Sequence, residues 1–259
     1  MHRPSGWLRA VGGAAFVFLY LPLVVVVAYS FNDSRLNAEW VGFTGRWYVT
    51  LLHDEAMLLA ARNSLLVALT ASVVSTVLGT LAGLALYRRP RQRVLPILVL
   101  TPIAIPEVLQ GVSLLIFFVL MNVSLGLVSI VLSHVAFCIG FVAVVVRARL
   151  QGLDPSLIEA ARDLGATPWQ AFRRVTLPLI APGIAAGALL AFTLSLDDFV
   201  ITFFTAGPEA STLPLQIYSM IRIAVTPEVN AVSTLLMALT LALAALAGRI
   251  APGALRGRA

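Results

Sequence analysis

Six separate runs in this chain are apolar for the length of a bilayer crossing. They fall at 11–29, 63–87, 94–120, 125–146, 182–206 and 230–247. A helix needs about 20 mostly apolar residues to cross the hydrocarbon core. Charged residues make up only 12% of the chain, too few to cover a water-soluble surface. The expected fold is an all-α membrane protein of six transmembrane helices, organised as one domain over 1–259. The first run follows Arg3 and Arg9, as a signal peptide would. Its apolar stretch exceeds the usual h-region, and Val26-Val27-Ala28 is a weak cleavage site, so it reads as a retained span.

The arginines orient the bundle. With the N-terminus inside, the inner segments hold fourteen: Arg3, Arg9, Arg88, Arg89, Arg91, Arg93, Arg147, Arg149, Arg162, Arg173, Arg174, Arg249, Arg256 and Arg258. The outer segments hold four: Arg35, Arg46, Arg62 and Arg222. That asymmetry is the positive-inside signal, and six spans then place both termini in the cytoplasm. Outer acids (Asp33, Glu39, Asp54, Glu55, Glu209 and Glu228) make the outer side net negative. The net charge of +6 therefore reports topology and attraction to anionic lipid, not a nucleic-acid footprint. The outer loop carries Trp40, Phe43, Trp47 and Tyr48, expected to anchor it at headgroup level.

Every basic residue is arginine. Without lysine there is no phosphate-cradling P-loop and no Schiff base. The single cysteine, Cys138, excludes a disulfide framework. His2, His53 and His134 are far apart and form no ligand motif. No catalytic or metal site is expected, and His134 and Cys138 read as packing residues of the fourth span.

The stretch 153–178 is too polar to span and too patterned for a slack loop. Asp154 suits an N-cap, with Pro155 in the first turn. Leu157, Ile158, Ala161 and Leu164 repeat at helical spacing. Gly165 fits the position after a helix where φ is positive. Thr167 and Gln170 form a capping box around Pro168, and Trp169, Phe172 and Val175 give the second helix an apolar side. Pro178 and Pro182 mark the way into the fifth span. Such a helix pair is either a lid over the protein's own inner end or a docking knob for a soluble partner.

The same stretch resembles the EAA motif of membrane subunits of binding-protein-dependent ABC importers. It reads Glu159-Ala160-Ala161, then Gly165, then Val175-Thr176-Leu177-Pro178, with Val175 where that family has isoleucine. The resemblance implies a type I importer permease of the bacterial inner membrane. It gives Glu159, Ala160, Ala161, Gly165 and Leu177 the role of coupling to a cytoplasmic ATPase. It also implies the partners: a second related permease, two ATPase subunits holding ATP and Mg²⁺, and an external solute-binding protein. This chain itself would bind no cofactor. Further blocks are similar to the spermidine/putrescine branch: Ser30-Phe31-Asn32-Asp33-Ser34, Asn63-Ser64-Leu65, Ser195-Leu196-Asp197-Asp198-Phe199, Thr212-Leu213-Pro214-Leu215, Ile217-Tyr218-Ser219-Met220 and Pro227-Glu228-Val229-Asn230-Ala231. Branches carrying other small solutes, such as aminoethylphosphonate, share some of these.

Three acids fall within the spans: Glu107, Asp197 and Asp198. A polyamine's ammonium groups need carboxylates or aromatic faces to replace water, and intramembrane acids are costly enough to read as functional. On an unbroken helix the adjacent aspartates point about 100° apart. Asp198 would share a small, polar stripe with Gly187, Ala191, Ser195, Thr202 and Thr205, suited to a solute path or to close helix packing, so of the two aspartates Asp198 is the expected path acid and Asp197 the second candidate. Glu107 follows Pro102 and Pro106, which interrupt the helix ladder. It reads as a path acid or as part of a kinked packing site. An intramembrane enzyme would need facing His and acid pairs, and a passive channel would need no coupling loop.

Overall fold

The computed structural model describes residues 6–34, 39–89, 91–208 and 210–250. Arg3, Arg35, Glu209, Arg256 and Arg258, counted in the charge asymmetry, lie outside the described residues, as does His2. Among the described residues, twelve α-helices follow in order: α1 Gly6–Tyr29, α2 Arg46–Leu51, α3 Glu55–Arg88, α4 Val94–Ala104, α5 Glu107–Leu120, α6 Leu127–Gln151, α7 Ser156–Asp163, α8 Pro168–Ala171, α9 Leu177–Asp197, α10 Val200–Thr205, α11 Leu213–Ile221 and α12 Pro227–Ile250. One π-helical turn, Phe172–Thr176, joins α8 to α9. Among the described residues, β pairing is limited to an isolated bridge between Asn32 and Phe43.

Contacts group the chain into two units: the described residues up to Leu58 with Gln216–Leu239, and Leu59–Leu215 with Thr240 onward. In the first unit, α1 is apolar and exposed all round, with Trp7, Phe16 and Leu21 more than half exposed. A helix hydrophobic on every side needs lipid or other helices around it. The loop after it is folded on Asn32, which is fully buried. Asn32 Nδ2 donates to Glu39 O (2.8 Å), its Oδ1 accepts Val41 N–H, and its carbonyl accepts Trp47 Nε1–H (2.8 Å). Ser30 Oγ meets the Tyr48 hydroxyl at 2.7 Å, Phe31 stacks on Phe43, and Arg46 pairs with Asp33. Trp47 and Tyr48 thus serve this loop's own packing, whereas Trp40 remains half exposed.

The second unit is built around α6. Gly79 of α3 lies against Val142 and Gly83 against Val146, so α3 and α6 run in the same direction. Gly183 of α9 meets Arg149 and Gly187 meets Val142, so α9 runs opposite to α6. Two parallel neighbours require the chain to return across the bundle between them. That return is α4 with α5, bent by 112° at Ile105 and Pro106. The span expected over 94–120, with its ladder interrupted by proline, is a broken one, and counting it as one gives six candidate crossings among the described residues. Pro106 cannot donate a backbone hydrogen, so the ladder stops there and restarts as Pro106 O accepts Gln110 N–H (3.1 Å).

The fifth span also departs from expectation. In place of a helix over 182–206, the helical rod starts at Pro168, passes through the π turn and ends at Asp197. Pro178 takes away one N–H and crowds the preceding turn, and the widened π turn absorbs it, with Leu177 N–H reaching Phe172 O. Asp198 is extended, and α10 follows as a separate short helix.

Candidate functional site

Two features carry chemistry. The first is the helix pair between α6 and α9. Asp154 Oδ1 accepts Ser156 N–H at 3.0 Å, and that bond holds the Asp154 carboxyl below its ordinary range. Gly165 has φ of +84°, the left-handed region where a side chain is strained. Thr167 and Gln170 close the capping box: Thr167 N–H donates to Gln170 Oε1 (2.9 Å) and Gln170 N–H to Thr167 Oγ1 (3.3 Å). The apolar face of α7 is shared out. Ile158 and Ala161 are half-buried, whereas Leu157 and Leu164 are exposed, Leu164 by 89%. Glu159, Ala160 and Gly165 are exposed with them, and Leu177 begins α9 half-buried. The tip of this capped turn therefore exposes apolar side chains to its surroundings.

The second feature is the pair of helix breaks in spans three and five. Glu107 stands in the first turn of α5, where the helix dipole favours an anion. Asp197 ends α9. Both are exposed, and Glu107 and Asp198 lie within electrostatic reach of Asp197. The half-helices beyond the breaks pack on each other, with Gly111 of α5 against Phe204 and Ile201 of α10.

Asp198 has a different setting. It is buried and acts as the cap of α10: its carboxylate accepts Thr202 N–H (2.9 Å), Ile201 N–H (3.4 Å) and the Thr202 hydroxyl (3.0 Å). His134 Nε2 of α6 is 3.0 Å from the Thr202 hydroxyl and 3.3 Å from the same carboxylate, and its Nδ1 is 2.7 Å from Ser195 Oγ. The stripe Gly187, Ala191, Ser195, Thr202 and Thr205 is buried as a packing seam: Gly187 lies on Val142, Cys138 Sγ donates to Ala191 O (3.6 Å), Ser195 bonds His134, and Ser129 Oγ donates to Thr205 O (2.7 Å). Of the two roles open to that stripe, its geometry is that of close helix packing. His134 was legible only as a packing residue; its partner Ser195 is 61 positions away, and no local pattern signals it.

Blocks distant in sequence also meet. Asn63 Nδ2 donates to Ser211 O (2.9 Å), and Leu213 N–H donates to Ser64 Oγ (2.7 Å). They fasten the start of the second span to the segment before α11.

Apolar crossings with broken spans, acids at the breaks and an exposed, arginine-bearing helix pair are the features of a membrane transport permease. Residues 75–258 match the family of binding-protein-dependent transport system inner membrane components. The chain belongs to this family and is a multi-pass inner-membrane protein. The spermidine/putrescine transport system permease protein PotC of Escherichia coli K12 is 42% identical over 231 residues, 88% of this chain and 87% of that protein. The putrescine transport system permease protein PotI of the same organism is 44% identical over 242 residues, 90% and 86% of the two chains. Among solved structures, the MetNI methionine ABC transporter matches with a TM-score of 0.62 at 26% identity, covering 78% of this chain and 100% of that one. A bacterial alginate ABC transporter, in complex with an alginate-bound periplasmic protein, matches with a TM-score of 0.72 at 18% identity over 95% and 94% of the two chains; that likeness speaks to the fold.

Proposed function

We propose that this chain is a membrane subunit of an ATP-driven importer of polyamines of the spermidine/putrescine class. The observation that carries the reading is 42–44% identity, over 88–90% of the chain, to permeases named for those solutes. The chemistry of the breaks supports it. Asp197 and Glu107 are exposed carboxylates at membrane depth, able to replace water around an ammonium group. Asp198 serves beside them as the brace that holds the break in span five open.

In this reading both termini and the helix pair 153–178 are cytoplasmic. Glu159, Ala160, Ala161, Gly165 and Leu177 couple the chain to an ATPase subunit, which holds ATP and Mg²⁺. A second permease completes the path, and an external solute-binding protein delivers the polyamine. The helical rod from Pro168 to Asp197 ties the docking turn directly to the acid-bearing break. A push at one end therefore reaches the other without a slack joint, and alternating access follows from tilting that rod.

The test is ATP-dependent uptake of labelled spermidine into vesicles holding the complete complex, with putrescine and unlike solutes as competitors. Saturable uptake, blocked by polyamines alone and lost in Glu159→Ala, is expected. No polyamine uptake in a complex whose ATPase is active would refute the substrate class.

A further inference from the structure

Where α3 emerges at the arginine-rich end, it does not pack tightly on the helix pair. Two adjoining hollows of about 380 and 550 Å³ lie between them, sharing Leu84, Arg88, Pro168 and Phe172. Their floor is apolar: Leu81, Leu84 and Ala85 of α3, Ile158 of α7, and Trp169 stacked on Phe172. Their rim is cationic, with Arg88 and Arg89 on one side and Arg162 on the other. Among the described residues none of these three arginines makes an ion pair. Tyr87 and Trp169, amphipathic rings suited to headgroup depth, stand beside them.

We propose that this groove is a binding site for an acidic phospholipid, its anionic headgroup met by Arg88, which lines both hollows, with Arg162 lining the first and Arg89 the second, and an acyl chain laid along Leu81 and Leu84. The division of the lining matches that amphiphile. The apolar floor continues the membrane-spanning stretch of α3, and the guanidinium groups begin where that stretch ends. Basic pockets between membrane helices at this level select anionic headgroups. A cationic cargo is repelled by three arginines. A soluble anion would leave the apolar floor uncovered. The exposed residues Leu157, Glu159 and Leu164 of α7 are not among those lining the groove. The site is independent of which solute is carried.

The complete complex would be placed in nanodiscs of phosphatidylcholine with a minor share of phosphatidylglycerol, and retained lipid counted by native mass spectrometry. The wild type should retain phosphatidylglycerol selectively. The R88Q/R89Q/R162Q variant should lose about tenfold or more of that selectivity, since each basic group at the surface contributes a several-fold factor. Arg249→Gln, a basic residue outside the groove lining, should change it little. Equal retention of both lipids, an equal loss in Arg249→Gln, or displacement of the lipid by inorganic phosphate alone would overturn the proposal. Should the triple variant fail to assemble, a photoactivatable phosphatidylglycerol on the wild type decides. Labelled peptides from 81–89 and 153–172 are expected. Label confined to other segments, or an ATPase subunit cross-linked in the groove, overturns it.

Discussion

Alanine in place of Asp198 and alanine in place of Asp197 should have opposite effects, although the residues are neighbours. Asp198→Ala removes the acceptor for Thr202 N–H, Ile201 N–H and the Thr202 hydroxyl, and the carboxylate 3.3 Å from His134 Nε2. Loss of a helix cap costs about 1 kcal/mol. Loss of a polar contact between membrane helices adds about 0.6–1.7 kcal/mol. Together the variant should be about 2–3 kcal/mol less stable, a fall of about 4–12 °C in the melting temperature for a chain of this size. Asp197 is exposed, so its removal should leave stability within about ±0.5 kcal/mol. Thermal unfolding of the complex and spermidine uptake would be measured side by side. Asp198→Ala should lose stability, and His134→Ala added to it should cost less than the two single losses combined, because the pair shares one contact. Asp197→Ala should keep stability and lose uptake. The reasoning fails if Asp197→Ala unfolds as readily as Asp198→Ala, or if Asp198→Ala keeps full stability.

Gly140→Leu should force α4 away from α6, because even a Cβ there would sit 2.7 Å from the Val99 carbonyl oxygen; a loss of about 1–3 kcal/mol, read by thermal unfolding, is expected. The Asp154 cap should titrate. Its carboxyl is lowered by the Ser156 N–H bond, so the cap's contribution is complete above the unfolded carboxyl value and vanishes as pH falls through the lower folded value; an NMR titration of the Asp154 carboxyl checks the sign. The native cysteine, Cys138, is fully buried, with burial pushing against its reaction, so Leu164→Cys offers one accessible thiol. In intact cells an impermeant maleimide should miss Leu164→Cys and label Trp40→Cys, and the reverse pattern would invert the proposed topology.

What the sequence disclosed, and what it hid, divides by the range of the forces involved. The caps at Asp154 and Thr167 and the positive φ of Gly165 are local preferences, fixed within four residues, and they stand as spacing predicts. The crossings are legible because apolar length is a bulk property of the lipid solvent. The breaks are only half legible. Pro106 announces an interruption, but the 112° bend and the packing of α5 on α10 depend on Phe204 and Ile201, some ninety positions on. Prolines misplace the start of the fifth span because a π turn carries the helix through Pro178. The helical wheel assigns faces to Asp197 and Asp198 on a rod that stops between them. That single departure from helix turns the acid with the polar stripe into a buried cap and leaves its neighbour exposed.

The proposed path depends on two exposed carboxylates, Glu107 and Asp197, acting on a cation while an ATPase drives the rod that joins the helix pair to the break. Hydrolysis of ATP and uptake of labelled spermidine should be measured together on wild-type and E107Q/D197N complexes. Each carboxylate bonded to an ammonium group contributes about 1.5–3 kcal/mol. The double variant should therefore keep hydrolysing ATP and lose uptake by about tenfold or more. Uptake at the wild-type rate in that variant would contradict the assignment of the path.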